Sequence, residues 1–149
     1  MNIVLFQPEI PGNTGNIARL CAATNTALHL VGPLGFSLSD RYLKRAGLDY
    51  WPHVRLRVYD SVQAFYEAHN GGRFYYLSTK AGIPYTRAAY REDDFIVFGP
   101  ETRGLPKELL DENPEYSLTI PMDGPVRSLN LSTSAGIVLY EALRQLREF

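Results

Sequence analysis

Residues 95–106 read Phe95-Ile96-Val97-Phe98-Gly99-Pro100-Glu101-Thr102-Arg103-Gly104-Leu105-Pro106. Four apolar residues in a row predict a strand covered on both faces, the habit of a parallel sheet. Gly99 and Gly104 allow close backbone approach or a positive φ. A turn at the carboxyl end of such a strand is where α/β sheets receive ligands. Glu101, between the glycines, reads as a ligand-facing carboxylate, a solvated loop charge or an acid at a helix start.

Working outward, further short apolar runs predict strands at Ile3–Phe6, Leu28–Val31, Leu56–Tyr59, Phe74–Leu77 and Leu118–Ile120. Between them, helices are expected at Thr14–Thr24, Asp40–Ala46, Val62–His69, Pro106–Asp111 and Leu131–Arg147. Alternating β and α units imply an α/β domain, a mostly parallel sheet with helices on both faces. No repeat, low-complexity segment or linker interrupts the chain, so residues 1–149 read as a single domain. In the last helix Ala135, Val138, Leu139, Ala142, Leu143 and Leu146 make one apolar stripe, with Ile137 and Tyr140 outside it. The first helix is apolar nearly all round through Ile17, Ala18, Leu20, Cys21, Ala22 and Ala23, which calls for a subunit interface or burial in its own core.

Composition excludes several classes. The chain is 45% hydrophobic and 21% charged, with formal net charge -1. That balance gives no global basic footprint, so any nucleic-acid contact must rest on local patches. Cys21 is the single cysteine, without a partner for an internal disulfide and without a metal-binding motif, so a reducing, cytoplasmic setting and no metal are expected. The apolar run at Ile3–Phe6 is too short for a signal peptide or membrane span. No GxGxxG dinucleotide fingerprint and no P-loop is present, and the Gly12-Asn13-Thr14-Gly15 match to a KH loop lacks the flanking pattern.

Two more strand ends run into polar turns. One is Tyr76-Leu77-Ser78-Thr79-Lys80. The other is Ile120-Pro121-Met122-Asp123-Gly124-Pro125-Val126-Arg127-Ser128-Leu129-Asn130-Leu131-Ser132. Ser128, Asn130 and Ser132 are all good caps for the final helix, yet a helix needs only one. With the 95–106 turn, these loops offer backbone polar groups beside Leu77, Ile120, Met122 and Leu129, a setting that suits adenine.

Arg19 is the only charged residue between Asn13 and Asn25. If the helix begins at Thr14, Arg19 lies in its first turns, where the macrodipole disfavours a cation. It then pairs with an acid such as Glu101, or it receives a phosphate in its planar fork. Arg41, Lys44, Arg45, Arg55 and Arg57 outnumber Asp40 and Asp49 in their segment, either as a solvated face or as an RNA contact. Tyr42, Tyr50 and Trp51 are nearby candidates to stack on unpaired bases. His29 is expected to be packed, and His53 and His69 to be at the surface.

Three motifs in order carry a resemblance: Asn13-Thr14-Gly15-Asn16-Ile17-Ala18-Arg19; Phe98-Gly99-Pro100-Glu101-Thr102-Arg103-Gly104-Leu105-Pro106; and Ile120-Pro121-Met122 with Ser128-Leu129-Asn130-Leu131-Ser132. Together they resemble the SPOUT, or trefoil-knotted, superfamily of RNA methyltransferases. Pro8-Glu9-Ile10-Pro11 and Arg45-Ala46-Gly47-Leu48-Asp49-Tyr50 are similar to its small stand-alone subgroup, which methylates the ribose 2′-hydroxyl of the wobble cytidine or uridine of tRNA. Gly12, Leu129 and Thr133 depart from that subgroup, which has proline, methionine and asparagine there.

The resemblance implies S-adenosylmethionine as donor, tRNA as substrate, a homodimer and a C-terminal trefoil knot. The knot comes from the resemblance alone, since chains almost never knot. The donor site it implies comprises Leu77, Thr79, Gly99, Glu101, Gly104, Ile120, Met122, Ser128 and Leu129. Arg19, Ser128 and Asn130 are the implied catalytic residues, and Arg19, Arg41, Lys44 and Arg45 the RNA-binding ones. Deprotonating an arginine near neutral pH costs on the order of 8 kcal/mol, so Arg19 suits a phosphate clamp better than a base. A non-catalytic RNA-binding or assembly protein on the same fold is the alternative, motivated by the lack of an evident general base.

Overall fold

Short apolar segments that bury both faces pair best with one another, and in this chain they form one seven-stranded sheet. The computed structural model describes residues 1–47 and 49–149, and the side chains of all these except Tyr42, Ala46 and Gly47. The elements are β1 (Asn2–Phe6), α1 (Pro11–Thr24), β2 (Ala27–Val31), α2 (Arg41–Gly47), β3 (Arg55–Tyr59) and α3 (Val62–Ala68), then β4 (Phe74–Leu77), β5 (Ile83–Pro84), β6 (Phe95–Phe98), α4 (Lys107–Glu112), β7 (Ser117–Thr119) and α5 (Leu131–Leu146). The order across the sheet is β3-β2-β1-β6-β4-β7-β5, and every pairing is parallel.

The chain leaves β1 toward β2 and β3, then fills the other side of the sheet. The strand order therefore reverses between β1 and β6. Leu5 is paired with Phe98, and Leu77 with both Phe98 and Leu118, so β1, β4, β6 and β7 end at one edge. The turns after these strands converge there.

Alternation along the strands builds two cores. Ile3, Leu5, Leu28, Leu30, Leu77, Ile96 and Phe98 face α1 and α5. Val4, Phe6, Val31, Tyr76 and Val97 face α3 and α4, with Phe65 and Leu110 packed on them. The predicted stripe of α5 is buried from Ala135 to Leu143, and Leu146 packs at its edge. Outside it, Tyr140 is exposed.

Several expectations need correction. The two-residue strand β5 was not predicted; it is short, contains Pro84 and lies at the sheet edge, where a missing N–H is tolerated. The first helix begins at Pro11, whose fixed φ and absent N–H suit a first helical position. The helix therefore starts three residues earlier than the expected Thr14. Its Ile17, Ala18 and Cys21 are buried in the chain's own core, against α5 and α2. Trp51 is half-buried, packed against the core. The stacking role read for Tyr42 falls on a side chain outside those described, and Leu48 of the Arg45–Tyr50 motif is likewise outside the described residues.

His29 is packed as expected, while His69 is half-buried rather than at the surface. Both belong to a polar chain under the sheet. His29 Nδ1 meets the Tyr59 hydroxyl at 3.0 Å, His29 Nε2 meets Asn2 Oδ1 at 3.0 Å, and the same hydroxyl meets His69 Nε2 at 2.7 Å. The Asn2 amide donates to Asp93 and Asp94 carbonyls, which fixes its oxygen toward His29. Neutral His29 therefore carries its proton on Nε2, Tyr59 donates to Nδ1, and His69 donates to the Tyr59 oxygen.

Candidate active site

The turns after β4, β6 and β7 enclose a cleft of about 750 Å³, within the range of small-molecule sites. After β4, Ser78 extends the ladder by donating its N–H to Leu118 at 3.0 Å. Its hydroxyl then accepts from the Lys80 N–H at 3.1 Å, which turns the chain outward and leaves Thr79 exposed on the rim.

The turn after β6 depends on both glycines for different reasons. A Cβ on Gly99 would lie 2.4 Å from the Gly104 carbonyl carbon and 2.4 Å from the Leu105 nitrogen. Gly104 has φ +67, a left-handed conformation, and its N–H donates to Pro100 at 2.8 Å. The turn is then locked to the start of α1. Glu101 accepts from the Glu9 N–H at 3.0 Å and from the Ile10 N–H at 2.5 Å. In return, Glu9 accepts from the Thr102 N–H at 3.0 Å and its hydroxyl at 2.8 Å. Those two bonds from Thr102 hold the Glu9 carboxyl below its usual range. Glu101 therefore lines the cleft while its carboxylate is engaged by backbone N–H groups rather than by Arg19.

After β7, Ile120, Met122 and Leu129 are half-buried walls. Asn130 caps α5, accepting from the Ser132 N–H at 2.9 Å and the Ser132 hydroxyl at 2.6 Å. Its amide donates to Asn13 Oδ1 at 3.0 Å, so the cap also ties α5 to α1. Both ends of the Asn130 amide are committed to the scaffold. Ser128 is exposed on the cleft wall.

Every residue expected at a donor site lines this cleft: Leu77, Thr79 and Gly99, then Glu101, Gly104 and Ile120, then Met122, Ser128 and Leu129. Arg19 does not line it. Because α1 begins at Pro11, Arg19 lies in its third turn rather than in its first two, and the macrodipole gives no reason for an acidic partner. Its exposed guanidinium rests 4.8 Å from the centre of the Tyr50 ring, a cation–π contact. Arg41, Lys44 and Arg45 are exposed on α2, which packs against α1, and none of them lines the cleft.

Sequence reasoning missed Lys80, Arg103 and Arg127, which line the cleft. Each stands in a turn it had already marked; only the pairing of the strands shows that they converge. The walls mix apolar side chains and glycine backbone with hydroxyl and cationic groups, and among the described residues no histidine or cysteine lines them. Among the described residues no group of three or more His, Cys, Asp or Glu is arranged to hold a metal, and no helix is long and apolar enough to cross a membrane.

Comparison with known proteins agrees with this geometry. The chain is 54% identical over 145 residues to a tRNA (cytidine(34)-2'-O)-methyltransferase of Methylovorus glucosotrophus (strain SIP3-4), covering 97% of this chain and 94% of that protein. A solved structure described as "Structural insights into the 2-OH methylation of C/U34 on tRNA" superposes with a TM-score of 0.94 at 54% identity, covering 99% of this chain and 97% of the other. An AdoMet-bound rRNA methyltransferase from Sinorhizobium meliloti superposes with a TM-score of 0.87 at 26% identity, covering 97% of this chain and 56% of that one. The model of the SpoU rRNA Methylase family matches residues 1–140. With its parallel sheet, its converging turns and these relatives, the chain belongs to the SpoU rRNA methylase family.

Proposed function

We propose that this chain is an S-adenosylmethionine-dependent methyltransferase acting on the ribose 2′-hydroxyl of the wobble cytidine or uridine of tRNA. The observation that carries the reading is the cleft itself, in which all the residues expected of a donor site meet at the ends of β4, β6 and β7. The relatives named for this activity match over nearly the whole chain.

The residues present fit the donor. Leu77, Ile120, Met122 and Leu129 offer apolar walls for a flat base, Ser78 and Ser128 offer polar edges, and the Gly104 backbone has open space beside it. When bound, the donor supplies a methyl group on a sulfonium, already electrophilic. The protein's part is to hold and orient. The Gly99–Leu105 turn is held by the Glu9–Glu101 exchange, and the Ile120–Leu129 turn is anchored at its end by Asn130. Ser128 stands on the wall within reach of solvent, where it can orient the acceptor hydroxyl. Arginine keeps its proton in proteins, so Arg19 acts as a cation on RNA phosphate beside Arg41, Lys44 and Arg45, and the hydroxyl proton leaves to solvent.

Residues 1–149 act as one domain in this reading. The homodimer and the trefoil knot belong to it as well. Exposed Ile10, Val126, Tyr140 and Phe149 supply apolar surface for a second copy. The late strand β7 between β4 and β5, with α5 returning to α1, supports a threaded C-terminus. A cytoplasmic setting accords with Cys21, a buried free thiol pushed by burial up to about 12.

The test is incubation with methyl-labelled donor and unmodified tRNA, followed by mass mapping of the product. Label on the ribose of the wobble nucleotide is expected. RNA binding that ignores the donor, with no transferred label across a range of tRNAs, would replace this reading with the non-catalytic one.

A further inference from the structure

A second cleft, of about 450 Å³, opens on the opposite side of the Gly99–Leu105 turn. Phe6, Val62, Tyr66, Leu105 and Leu109 give it apolar walls on the α3 and α4 side of the sheet. The Tyr66 ring is fixed in place: it packs edge-on to Phe6 at 6.0 Å and to Phe74 at 5.2 Å, and its hydroxyl meets that of Tyr76 at 2.7 Å. Among the described residues, the charged ones lining the cleft are Lys80, Arg103 and Lys107, and no carboxylate lines it. Lys80 and Arg103 also line the donor cleft, so one cationic ridge separates the two.

Gln7 also lines this cleft. It follows β1 at the point where the strand order reverses, and it has φ 48, a left-handed conformation uncommon for a residue with a Cβ. The conformation is held by a 2.7 Å bond from its N–H to Val31, and its side-chain oxygen accepts from Arg103 at 3.2 Å. A strained residue held this firmly, with an amide in a cleft, is a common mark of a binding site.

We propose that this second cleft seats an unpaired nucleotide of the RNA substrate. Its base lies between the apolar walls with its polar edge toward the Gln7 amide, and its phosphate lies on the Lys80–Arg103 ridge. Apolar and aromatic walls bind a base by its face, and cations beside them bind the backbone. The absence of any lining carboxylate is what phosphate requires and what a basic peptide would not. The choice of RNA as ligand rests on the methyltransferase reading above.

The test uses the full chain, an unmodified tRNA transcript, and an anticodon stem-loop carrying 4-thiouridine in its loop. Val62→Trp fills the cleft, and Gln7→Asn keeps a residue that tolerates positive φ while withdrawing the amide. Affinity for the transcript is expected to fall roughly tenfold to a hundredfold in Val62→Trp, within the range seen for losing one stacked base, and severalfold in Gln7→Asn. Donor affinity should be unchanged in both. Photocrosslinks should map to α3 or to residues 103–109. Should Val62→Trp not fold, Gln7→Asn and the crosslink map decide alone.

Wild-type tRNA affinity in both variants, with crosslinks confined to α1 and α2, would overturn the proposal while leaving the catalytic reading intact; a peptide ligand would give the same result. Crosslinks at the cleft in a protein that transfers no methyl would do the reverse.

Discussion

The Asn130 amide donates to Asn13 Oδ1 at 3.0 Å across 117 residues of sequence. The same side chain caps α5. One residue therefore sets the start of the final helix and fixes it to the helix that follows β1, at the mouth of the proposed donor cleft. Its removal should be felt in both stability and ligand binding.

Asn130→Ala should lower folding stability by about 1–2 kcal/mol, the usual worth of a lost cap. Donor affinity should fall with it. Asn130→Asp keeps an oxygen for the Ser132 and Thr133 N–H groups but loses the bond to Asn13. It should recover most of the stability and less of the affinity. Urea denaturation and calorimetry measure the two separately, and equal recovery of both would remove the special role of the Asn13 bond.

Gly99→Ala places a methyl where the Gly104 and Leu105 backbone already lies. The turn must open to accept it. Loss of measurable donor binding is expected, with the far-ultraviolet spectrum retained. Wild-type affinity in this variant would mean that the turn does not shape the site.

Glu101→Ala leaves the Glu9 and Ile10 N–H groups without their acceptor. The expected loss is about 1–3 kcal/mol, the penalty for unsatisfied donors. Amide exchange should quicken at Glu9 and Ile10 in particular. An unchanged exchange rate at those positions would show that water replaces the carboxylate at no cost.

Arg19→Ala should abolish methyl transfer while sparing donor affinity, because Arg19 does not line the donor cleft. Stability should change little, the side chain being exposed over Tyr50. Arg19→Lys should recover transfer only in part, since lysine lacks the planar fork. A turnover rate equal to wild type in Arg19→Ala would exclude it from the reaction.

Acid should weaken the fold through His29. Burial, with His69 and Arg57 adding positive charge nearby, holds its folded pKa down at about 3 against an ordinary value of 6.5. The unfolded chain therefore binds a proton that the folded chain refuses. The stability from neutral His29 is full above pH 6.5 and declines as pH falls toward 3, at no more than about 1.4 kcal/mol per pH unit. His69 is lowered too, by burial and then Arg57, and adds to the slope in the same direction. Urea midpoints from pH 7 to pH 4 should slope accordingly, and His29→Asn should flatten that slope even though it lowers stability throughout.

Periodicity and composition alone determined the kinds of element and most of their places. Phe95–Phe98 and Phe74–Leu77 were bounded by their apolar runs, because a strand buried on both faces leaves no polar residue to blur its ends. The stripe on α5 was legible for a similar reason, since one buried face imposes a helical spacing. The glycines at 99 and 104 were legible as special, though close approach at one and positive φ at the other had to be measured.

Tertiary structure decided the rest. β5 carries two residues, too few for any period. The start of α1 at Pro11 moved Arg19 from the opening turns into the third and removed the electrostatic reason for pairing it with Glu101. Glu101 binds the Glu9 and Ile10 backbone, and Glu9 binds Thr102, through contacts across about ninety residues of sequence. No local pattern records such contacts. They follow from strand order, which brings β1 and β6 side by side and makes neighbours of the turns that leave them.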